Sequence, residues 1–273
     1  MVEYDFSGQV AFVTGAAHGQ GQSHAQHYAK HGADVVVTDI ADEMATVEYD
    51  LGTSDELAET ASLVEDEGQD ALALELDVRN EDEVEAAVEE AIDEFGGIDI
   101  LANNAGIAHF GDLVEMDERM WNEMLDTNLK GVWLCSKHVG KHFVDQGHGG
   151  KIVSTSSIYG LSAGPGSGHY IAAKHGVVGL TKTLALELAD YDVNVNAVCP
   201  TGVDTPMISG VLEAYGEEAL NEATDVTGPW NLFDHDAMIE SRDISEAYMW
   251  LSSDAARYVT GIALPVDAGM LAK

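Results

Sequence analysis

The chain has 273 residues, 45% of them hydrophobic, and its 12 basic and 49 acidic residues give a formal net charge of −37. Such a charge repels nucleic-acid phosphates and anionic lipids, which argues against a role on either. No apolar run approaches the roughly 20 residues of a membrane span, and the opening segment MVEYDFSGQV lacks the basic and apolar regions of a signal peptide. We therefore expect a globular cytoplasmic protein, without nucleic-acid or membrane partners.

The acidic residues are spread along the chain between apolar residues at helical spacing, which is typical of solvated helix faces. Molar salt shortens the Debye length to about 3 Å and screens the self-repulsion of such a surface. We therefore expect a source with a high-salt cytoplasm, such as a haloarchaeon; an acidic mesophilic enzyme is the alternative. Cys135 and Cys199 are far apart and form no CxxC pair, so we predict neither a disulfide framework nor a metal site.

Short apolar runs typical of buried strands alternate with amphipathic helical stretches along the chain. The runs cover residues 9–14, 33–39, 71–76, 98–102, 151–154 and 193–198. Strands that alternate with helices predict right-handed crossovers and a parallel sheet covered on both faces, which is a doubly wound α/β fold. No repeat or linker divides the chain, so we predict one domain over residues 1–273.

Two segments fall outside this alternation. Residues 41–54 lengthen the connection after the second strand, and residues 204–241 follow the sixth. Because loops longer than about 12–15 residues within a compact domain are usually functional, we predict that 204–241 is a substrate lid, and Trp230 within it is a candidate for contact with the substrate. The remaining tryptophans lie within helical periodicity and are predicted to be core residues: Trp121, Trp133 and Trp250.

A glycine-rich loop, TGAAHGQG, joins the first strand to the first helix. Gly15, Gly19 and Gly21 would allow a tight turn and let backbone amides approach a pyrophosphate at the helix N-terminus. Asp39 ends the second strand, where a carboxylate can accept hydrogen bonds from ribose hydroxyls and would repel a 2′-phosphate. His18 in the loop, mostly neutral, would help an NADP phosphate little. Both features favour NAD, although Asp39 could instead serve as a strand-end cap.

Tyr170 and Lys174 form a YxxxK pair, which a helix places on one face about a turn apart. An ammonium beside a phenol favours phenolate, so we expect a lowered pKa for Tyr170. Ser157, at the end of a strand 13 residues before Tyr170, could hold a substrate oxygen while the phenolate takes the proton. Ser156 is the alternative to Ser157.

These motifs resemble the short-chain dehydrogenase/reductase family along essentially the whole chain. The matching stretches are residues 14–21, NNAG at 103–106, Asn128, Ser157, Tyr170, Lys174 and residues 200–205. The resemblance implies a Rossmann fold with a seven-stranded parallel sheet in a three-layer αβα sandwich. It also implies a homotetramer.

The resemblance further assigns roles to individual residues. Tyr170 would be the general base, Lys174 would bind the nicotinamide ribose and lower the Tyr170 pKa, Ser157 would position the substrate oxygen, and Asn128 would support a water-linked proton relay. The implied cofactor-binding residues are Gly15, His18, Gly19, Gln20, Gly21, Asp39, Ile40, Asp77, Val78, Asn104, Ala105, Gly106, Tyr170, Lys174, Pro200, Val203 and Thr205.

Other features resemble the carveol-dehydrogenase-like subgroup, often called mycofactocin-coupled. These are Thr201 in place of the usual glycine, the insertion 41–54 and its continuation into 55–60, the loop sequence GQGQSHA, and the closing stretch 256–269. The resemblance implies that the insertion covers a tightly bound NAD, which a peptide-derived redox carrier reoxidises.

Together, these observations predict NAD-dependent interconversion of a secondary alcohol and a ketone. A reductase of acyl-carrier ketones is one alternative, against which Asp39 and the scarcity of basic docking residues argue. A non-catalytic NAD-binding protein is the other, against which the retained Asn128, Ser157, Tyr170 and Lys174 argue.

Overall fold

The computed structural model describes the backbone of residues 4–225, 231–233 and 238–272, and the side chains of these residues except 217–225. Seven parallel strands form the main sheet in the order β3-β2-β1-β4-β5-β6-β9. The strands are β1 (Val10–Thr14), β2 (Asp34–Asp39), β3 (Ala71–Glu75), β4 (Ile100–Asn103), β5 (Gly150–Thr155), β6 (Val193–Pro200), β7 (Val203–Asp204), β8 (Ile239–Glu240) and β9 (Ala263–Val266).

Helices lie on both faces of this sheet. They are α1 (Gly19–Lys30), α2 (Ser54–Asp66), α3 (Glu81–Phe95), α4 (Glu118–Leu125), α5 (Val132–Gln146), α6 (Gly168–Glu187), α7 (Pro206–Asp225) and α8 (Ser241–Ser252). The strand order reverses between β1 and β4, and the cleft of a doubly wound fold opens at the carboxyl ends of the strands at such a point. The predicted doubly wound fold is confirmed.

The strands are buried on both sides, which explains their nearly continuous apolar sequences. In β1, Ala11 and Val13 pack into a core shared with α1, α2 and α8, whereas Val10 and Phe12 pack into a second core shared with α3, α5 and α6. Alternate residues of a strand point to opposite faces, so one strand supplies both cores.

The seventh main-sheet strand, β9, was not among the apolar runs found in the sequence. It lies at the sheet edge beside β6 and is only partly buried. It contains Pro265, which has no N–H to donate and is tolerated in edge strands. A short, half-exposed edge strand lacks the continuous apolar pattern of the central strands.

The insertion 41–54 contains no strand, and helix begins only at its last residue, where Thr53 and Glu56 form a reciprocal capping box at the start of α2. The segment 204–241 contains α7, which is interrupted at Gly216 (φ 79°). The base of this segment is closed by β7, which pairs with β8. Trp230 lies outside the described residues, so its predicted contact with substrate stays a prediction.

The predicted core position is wrong for two of the three tryptophans. Trp121 is 39% and Trp133 42% exposed, whereas Trp250 is partly buried and packs against the first core. Helical periodicity predicts that a residue shares a face with others, but the neighbouring elements decide which face meets the sheet. In α5 the face that carries Leu134 and Val139 is buried, and Trp133 lies outside it. Within the described ranges, no helix combines the length and apolarity needed to cross a membrane.

Candidate active site

The glycine loop between β1 and α1 needs glycine at two positions for steric reasons. Gly15 has a φ of +66°, and a Cβ there would lie 2.7 Å from the Cα of Ala105. A Cβ at Gly21 would lie 1.9 Å from the carbonyl oxygen of Gly15. The loop therefore folds back on the first turn of α1 and brings its backbone close to the floor of the cleft.

Hydrogen bonds tie this loop to the segment after β4. The Nδ2 of Asn104 donates to the carbonyl oxygens of Thr14 (3.2 Å) and Gly15 (3.0 Å). In return, the hydroxyl of Thr14 accepts the N–H groups of Asn104 and Ala105, each at 3.0 Å. The NNAG motif thus positions the glycine loop and is itself part of the cleft wall.

Asp39 ends β2 at the far side of the cleft. Its Oδ2 accepts the N–H of Ala17 at 3.0 Å, and the residue is 9% exposed. The two interpretations of Asp39 are therefore compatible, because the carboxylate anchors the glycine loop while the residue also lines the cleft. A carboxylate lining the cleft here repels a 2′-phosphate.

A single cleft with about 960 Å³ of empty space, its open mouth included, collects most of the predicted site residues. Its lining includes Gly15, His18, Gly19, Gln20, Asp39, Ile40, Asp77, Val78, Asn104, Ala105, Gly106, Asn128, Tyr170, Lys174 and Thr205. Four predicted residues do not line it: Gly21, Ser157, Pro200 and Val203. Gly21 contributes indirectly, because its lack of a side chain allows the carbonyl oxygen of Gly15 to approach it.

Sequence reasoning missed several lining residues. Met44, Leu51 and Gly52 come from the insertion, whose position over the cleft was expected although its contact residues were not. Arg79 also lines the cleft, and its guanidinium makes three hydrogen bonds of 2.6–2.9 Å to the carboxylate of Asp77. Burial raises the pKa of Asp77, but these bonds outweigh it and the net pKa is lowered.

Three residues that line the cleft each carry a buried polar atom with no hydrogen-bond partner among the described residues: the Nε2 of His18, the Oε1 of Gln20 and the Oγ1 of Thr127. His18 and Gln20 lie together in and after the glycine loop. Because buried polar atoms are nearly always satisfied, a ligand with both donor and acceptor groups fits the glycine-loop end of the cleft. Thr205 lies above the same loop, with its Cβ 3.5 Å from the position that a Cβ on Gly19 would take.

Tyr170 and Lys174 lie one turn apart on α6, as their spacing predicts. The ammonium of Lys174 donates to the carbonyl oxygen of Thr155 at 2.9 Å and lies 5.4 Å from the centroid of the Tyr170 ring. Ser157 follows β5, hydrogen-bonds with Tyr170, and accepts the N–H of Tyr159 at 3.1 Å through its hydroxyl. The hydroxyl of Ser156 instead donates to the carbonyl oxygen of Lys174 at 3.0 Å, which leaves Ser157 as the serine beside Tyr170.

The pKa of Tyr170 moves in the direction opposite to the one expected. Burial raises it to about 12, and the hydrogen bond with Ser157 only partly counteracts this rise. Burial also lowers the pKa of Lys174 to about 8, so the lysine is partly neutral near that pH and attracts a phenolate less strongly. In the chain without a bound cofactor, the expectation of a lowered Tyr170 pKa is therefore wrong.

Asn128 lies in a π-helical turn, Asp126–Gly131, between α4 and α5. Its Oδ1 accepts the N–H of Ile107 and its Nδ2 donates to the carbonyl oxygen of Ile107, both at 2.8 Å. Both polar atoms of the side-chain amide thus hold the chain just after the NNAG motif. π-Helical turns often occur at functional sites.

A buried histidine pair adjoins Tyr170. The Nε2 of His169 lies 2.7 Å from the Nδ1 of His109, and both residues are at most 1% exposed. Burial lowers the pKa of His169 to about 4, and His109 adds to this effect. Both rings are therefore neutral at neutral pH, and no sequence pattern predicted their contact across 60 residues.

Comparison with known proteins shows the family of the chain. The family model described as enoyl-(acyl carrier protein) reductase matches residues 15–271. The chain is 43% identical to (−)-trans-carveol dehydrogenase of Rhodococcus erythropolis over 280 residues, which cover 97% of this chain and 98% of the relative.

Solved structures give the same result. The carveol dehydrogenase of Mycobacterium avium in complex with NAD has a TM-score of 0.91 and 39% identity, over 99% of this chain and 100% of that one. A short-chain dehydrogenase of Mycobacterium paratuberculosis bound to NAD has a TM-score of 0.91 and 34% identity, over 98% and 100%. The fold and the Ser–Tyr–Lys group define an oxidoreductase with a nucleotide-binding cleft. The chain belongs to the short-chain dehydrogenase/reductase family.

Proposed function

We propose that this protein is an NAD-dependent oxidoreductase that interconverts a secondary alcohol and a ketone. The observation that carries the proposal is the placement of Tyr170 and Lys174 in the same cleft as the glycine loop and Asp39. A dinucleotide-dependent dehydrogenase needs groups that transfer a proton, here Tyr170 and Lys174, and a carboxylate that can bind a ribose, here Asp39, in one cleft.

The cleft suits NAD in three respects. Gly15 and Gly21 let the loop fold tightly at the N-terminus of α1, where backbone N–H groups can bind a pyrophosphate, and Asp39 disfavours a 2′-phosphate. His18 and Gln20 offer unpartnered polar atoms within the described cleft. Two related structures are described as NAD complexes, which supports the same cofactor here. Asp77, Val78, Asn104 and Thr205 belong to the proposed contact set, as do Pro200 and Val203 behind the cleft.

The protein residues would divide the chemistry as follows. The Oη of Tyr170 takes the hydroxyl proton of the alcohol, while the hydroxyl of Ser157 holds the same oxygen in place. When bound, NAD would supply the hydride acceptor and a positive charge that favours the phenolate of Tyr170 against the raised pKa that burial imposes. Lys174 binds the ribose, and we propose that Asn128 supports the proton relay by fixing Ile107.

The closer resemblance to carveol dehydrogenases supports finer proposals. We place the chain in the subgroup that retains NAD and passes its electrons to a peptide-derived redox carrier, because insertion residues line the cleft. The family resemblance supports a homotetramer, and the exposed Trp121 and Trp133 are apolar side chains that a subunit interface would cover. The acidic composition supports a cytoplasmic protein from a high-salt, haloarchaeal source.

A second candidate is a reductase of ketones on an acyl carrier protein. The chain is 34% identical over 260 residues to a 3-oxoacyl-(acyl-carrier-protein) reductase of Staphylococcus aureus, over 95% of this chain and 97% of that one, which favours this candidate. The scarcity of basic residues argues against docking an acidic carrier, and Asp39 argues against NADP. Activity with NADPH on an acyl-carrier ketone, and none with NAD on alcohols, would favour this alternative.

The test begins with protein purified in molar KCl without added cofactor. NAD released on denaturation is quantified per chain, and nicotinamide reduction is followed with carveol, cyclohexanol and 2-propanol. We expect bound NAD and reduction with at least one alcohol, and Tyr170→Phe should lower the rate by about 10²–10⁴-fold while NADH binding persists. Unchanged turnover in that variant would refute the assigned base.

Retention of NAD has its own readout in the same experiment. About one NAD per chain with a single turnover that free NAD cannot extend would support the dedicated redox carrier. Empty protein that turns over repeatedly with free NAD would refute the carrier proposal and leave an ordinary dehydrogenase.

A further inference from the structure

The insertion 41–54 is packed into the molecule at several points. Met44 is buried in a small apolar cluster with Ile107 and Met124, and Leu51 packs against the same cluster. Gly52 lies against Asp39, since a Cβ on this glycine would be 3.0 Å from the Oδ1 of Asp39. The insertion therefore spans the cleft from the Asp39 end towards the chain that follows the NNAG motif.

Tyr49 makes the contacts at the other end of this span. Its hydroxyl accepts the N–H of Ala108 at 2.9 Å. A Cβ on Gly210 of α7 would lie 2.4 Å from the Cβ of Tyr49, so this close approach requires glycine in α7. One side chain thus joins three separate elements: the insertion, the segment 107–111 and α7.

The same segment is held from α7 by a second tyrosine. Tyr215 packs edge-on against Phe110, with ring centroids 5.8 Å apart, and the N–H of Phe110 hydrogen-bonds to it. Tyr170 packs against the same apolar cluster as Ile107 and Leu51. The N–H of Gly111 donates to the carbonyl oxygen of Gly166, just before α6, at 2.9 Å. The segment 107–111, which both tyrosines contact, therefore lies beside the proposed base.

We propose that Tyr49 is a positioning residue that makes the insertion a wall of the alcohol-binding space as well as a cover for NAD. This inference rests on the proposed function. Loosening Tyr49 would free the cover and would displace Ala108 and α7 beside Tyr170. Cofactor retention and recognition of the alcohol are therefore coupled through one side chain, and the apolar Met44 and Leu51 of the insertion, which line the cleft, suit an apolar alcohol.

The test compares Tyr49→Phe, which removes the hydrogen bond but keeps the ring, with Gly210→Ala, which forces α7 and Tyr49 apart. Tyr191→Phe is the matched control, because Tyr191 is 44% exposed in a turn after α6. Release of bound NADH is followed by its fluorescence after mixing with excess NAD, and kcat/KM is measured with carveol and cyclohexanol. Thermal unfolding checks that every variant is folded.

We expect NADH release to accelerate about tenfold in Tyr49→Phe, and kcat/KM for the alcohol to fall about five- to tenfold, because the partly buried N–H of Ala108 loses its acceptor. Gly210→Ala should change both quantities in the same directions, and Tyr191→Phe should change neither. A change in only one quantity, or in neither, would overturn the proposed coupling. A parent protein that is inactive on all the alcohols would refute the proposed function. The rate of NADH release needs no turnover, so it would still test the Tyr49 contact in that case.

Discussion

The ammonium of Lys174 lies 5.4 Å from the ring centroid of Tyr170, yet the hydrogen bond that it makes is to the carbonyl oxygen of Thr155. The lysine is thus anchored to the end of β5 below the phenol. Its own pKa is lowered to about 8 by burial, whereas that of Tyr170 is raised to about 12. Without a bound cofactor the protein positions these two groups but keeps both mostly uncharged between about pH 8 and pH 12.

This balance predicts the pH dependence of alcohol oxidation. Since Tyr170 must lose its proton to act as base, kcat/KM should rise with pH above about pH 7, by up to about tenfold per unit, and level off below pH 12 in the presence of NAD. In Lys174→Met the position of this rise on the pH axis should change by less than about half a unit, because a lysine whose pKa is about 8 carries little charge where a tyrosine with a pKa of about 12 titrates. A flat profile between about pH 6 and 10 would contradict a titrating tyrosine base.

The two adjacent serines should separate into two roles. Ser157→Ala should lower kcat by about 10²–10³-fold, because the substrate oxygen loses its hydrogen-bond partner. Ser156→Ala should lower activity less than tenfold but reduce the free energy of unfolding by about 1 kcal/mol, because its hydroxyl bonds the backbone of Lys174. Steady-state kinetics and urea unfolding of both variants check this, and equal losses of activity would contradict it.

Asp39 offers a test of cofactor choice that spares the fold. Asp39→Asn removes the charge but keeps an oxygen for the N–H of Ala17. We expect kcat/KM with NADP to rise about tenfold or more and that with NAD to fall, because repulsion of the 2′-phosphate and the ribose contact are both lost. Asp39→Ala, which also loses the bond to Ala17, should be less stable than Asp39→Asn. Unchanged discrimination in both variants would argue that Asp39 serves the loop alone.

The buried histidines predict a loss of stability in acid. The pKa of His169 is about 4 in the folded protein against 6.5 for an ordinary histidine, so the unfolded chain binds more protons between these values. Stability should therefore be complete above about pH 6.5 and fall as the pH drops towards 4. His169→Gln should show a shallower decline than the parent, measured by urea unfolding at constant KCl. The exposed His175 supplies the control, since His175→Gln should leave the slope unchanged.

Salt should stabilise the protein strongly if the acidic surface is an adaptation to a high-salt cytoplasm. With 49 acidic residues and 12 basic ones, most surface carboxylates have no cation to pair with. We expect the midpoint of thermal unfolding to rise by more than about 10 °C between about 0.2 M and 3 M KCl, as screening shortens the Debye length. A midpoint that does not depend on KCl would support the mesophilic alternative.

Local sequence determined much of this protein. The apolar runs of the central strands, the glycine loop and the spacing of Tyr170 and Lys174 depend on neighbouring residues, whose periodicity and backbone preferences are written in the chain itself. These features predicted the doubly wound fold and most of the residues that line the cleft.

Only the tertiary structure decided the contacts between distant segments. It separated Ser157 from Ser156, turned Trp133 outward, joined His109 to His169, and brought Tyr49 to Ala108 across 59 residues. It also reversed the expected pKa shift of Tyr170, because the burial of the phenol exceeds the influence of its nearest charge. Such outcomes depend on which surfaces pack together and on how much water they exclude, and no local pattern of residues contains that information.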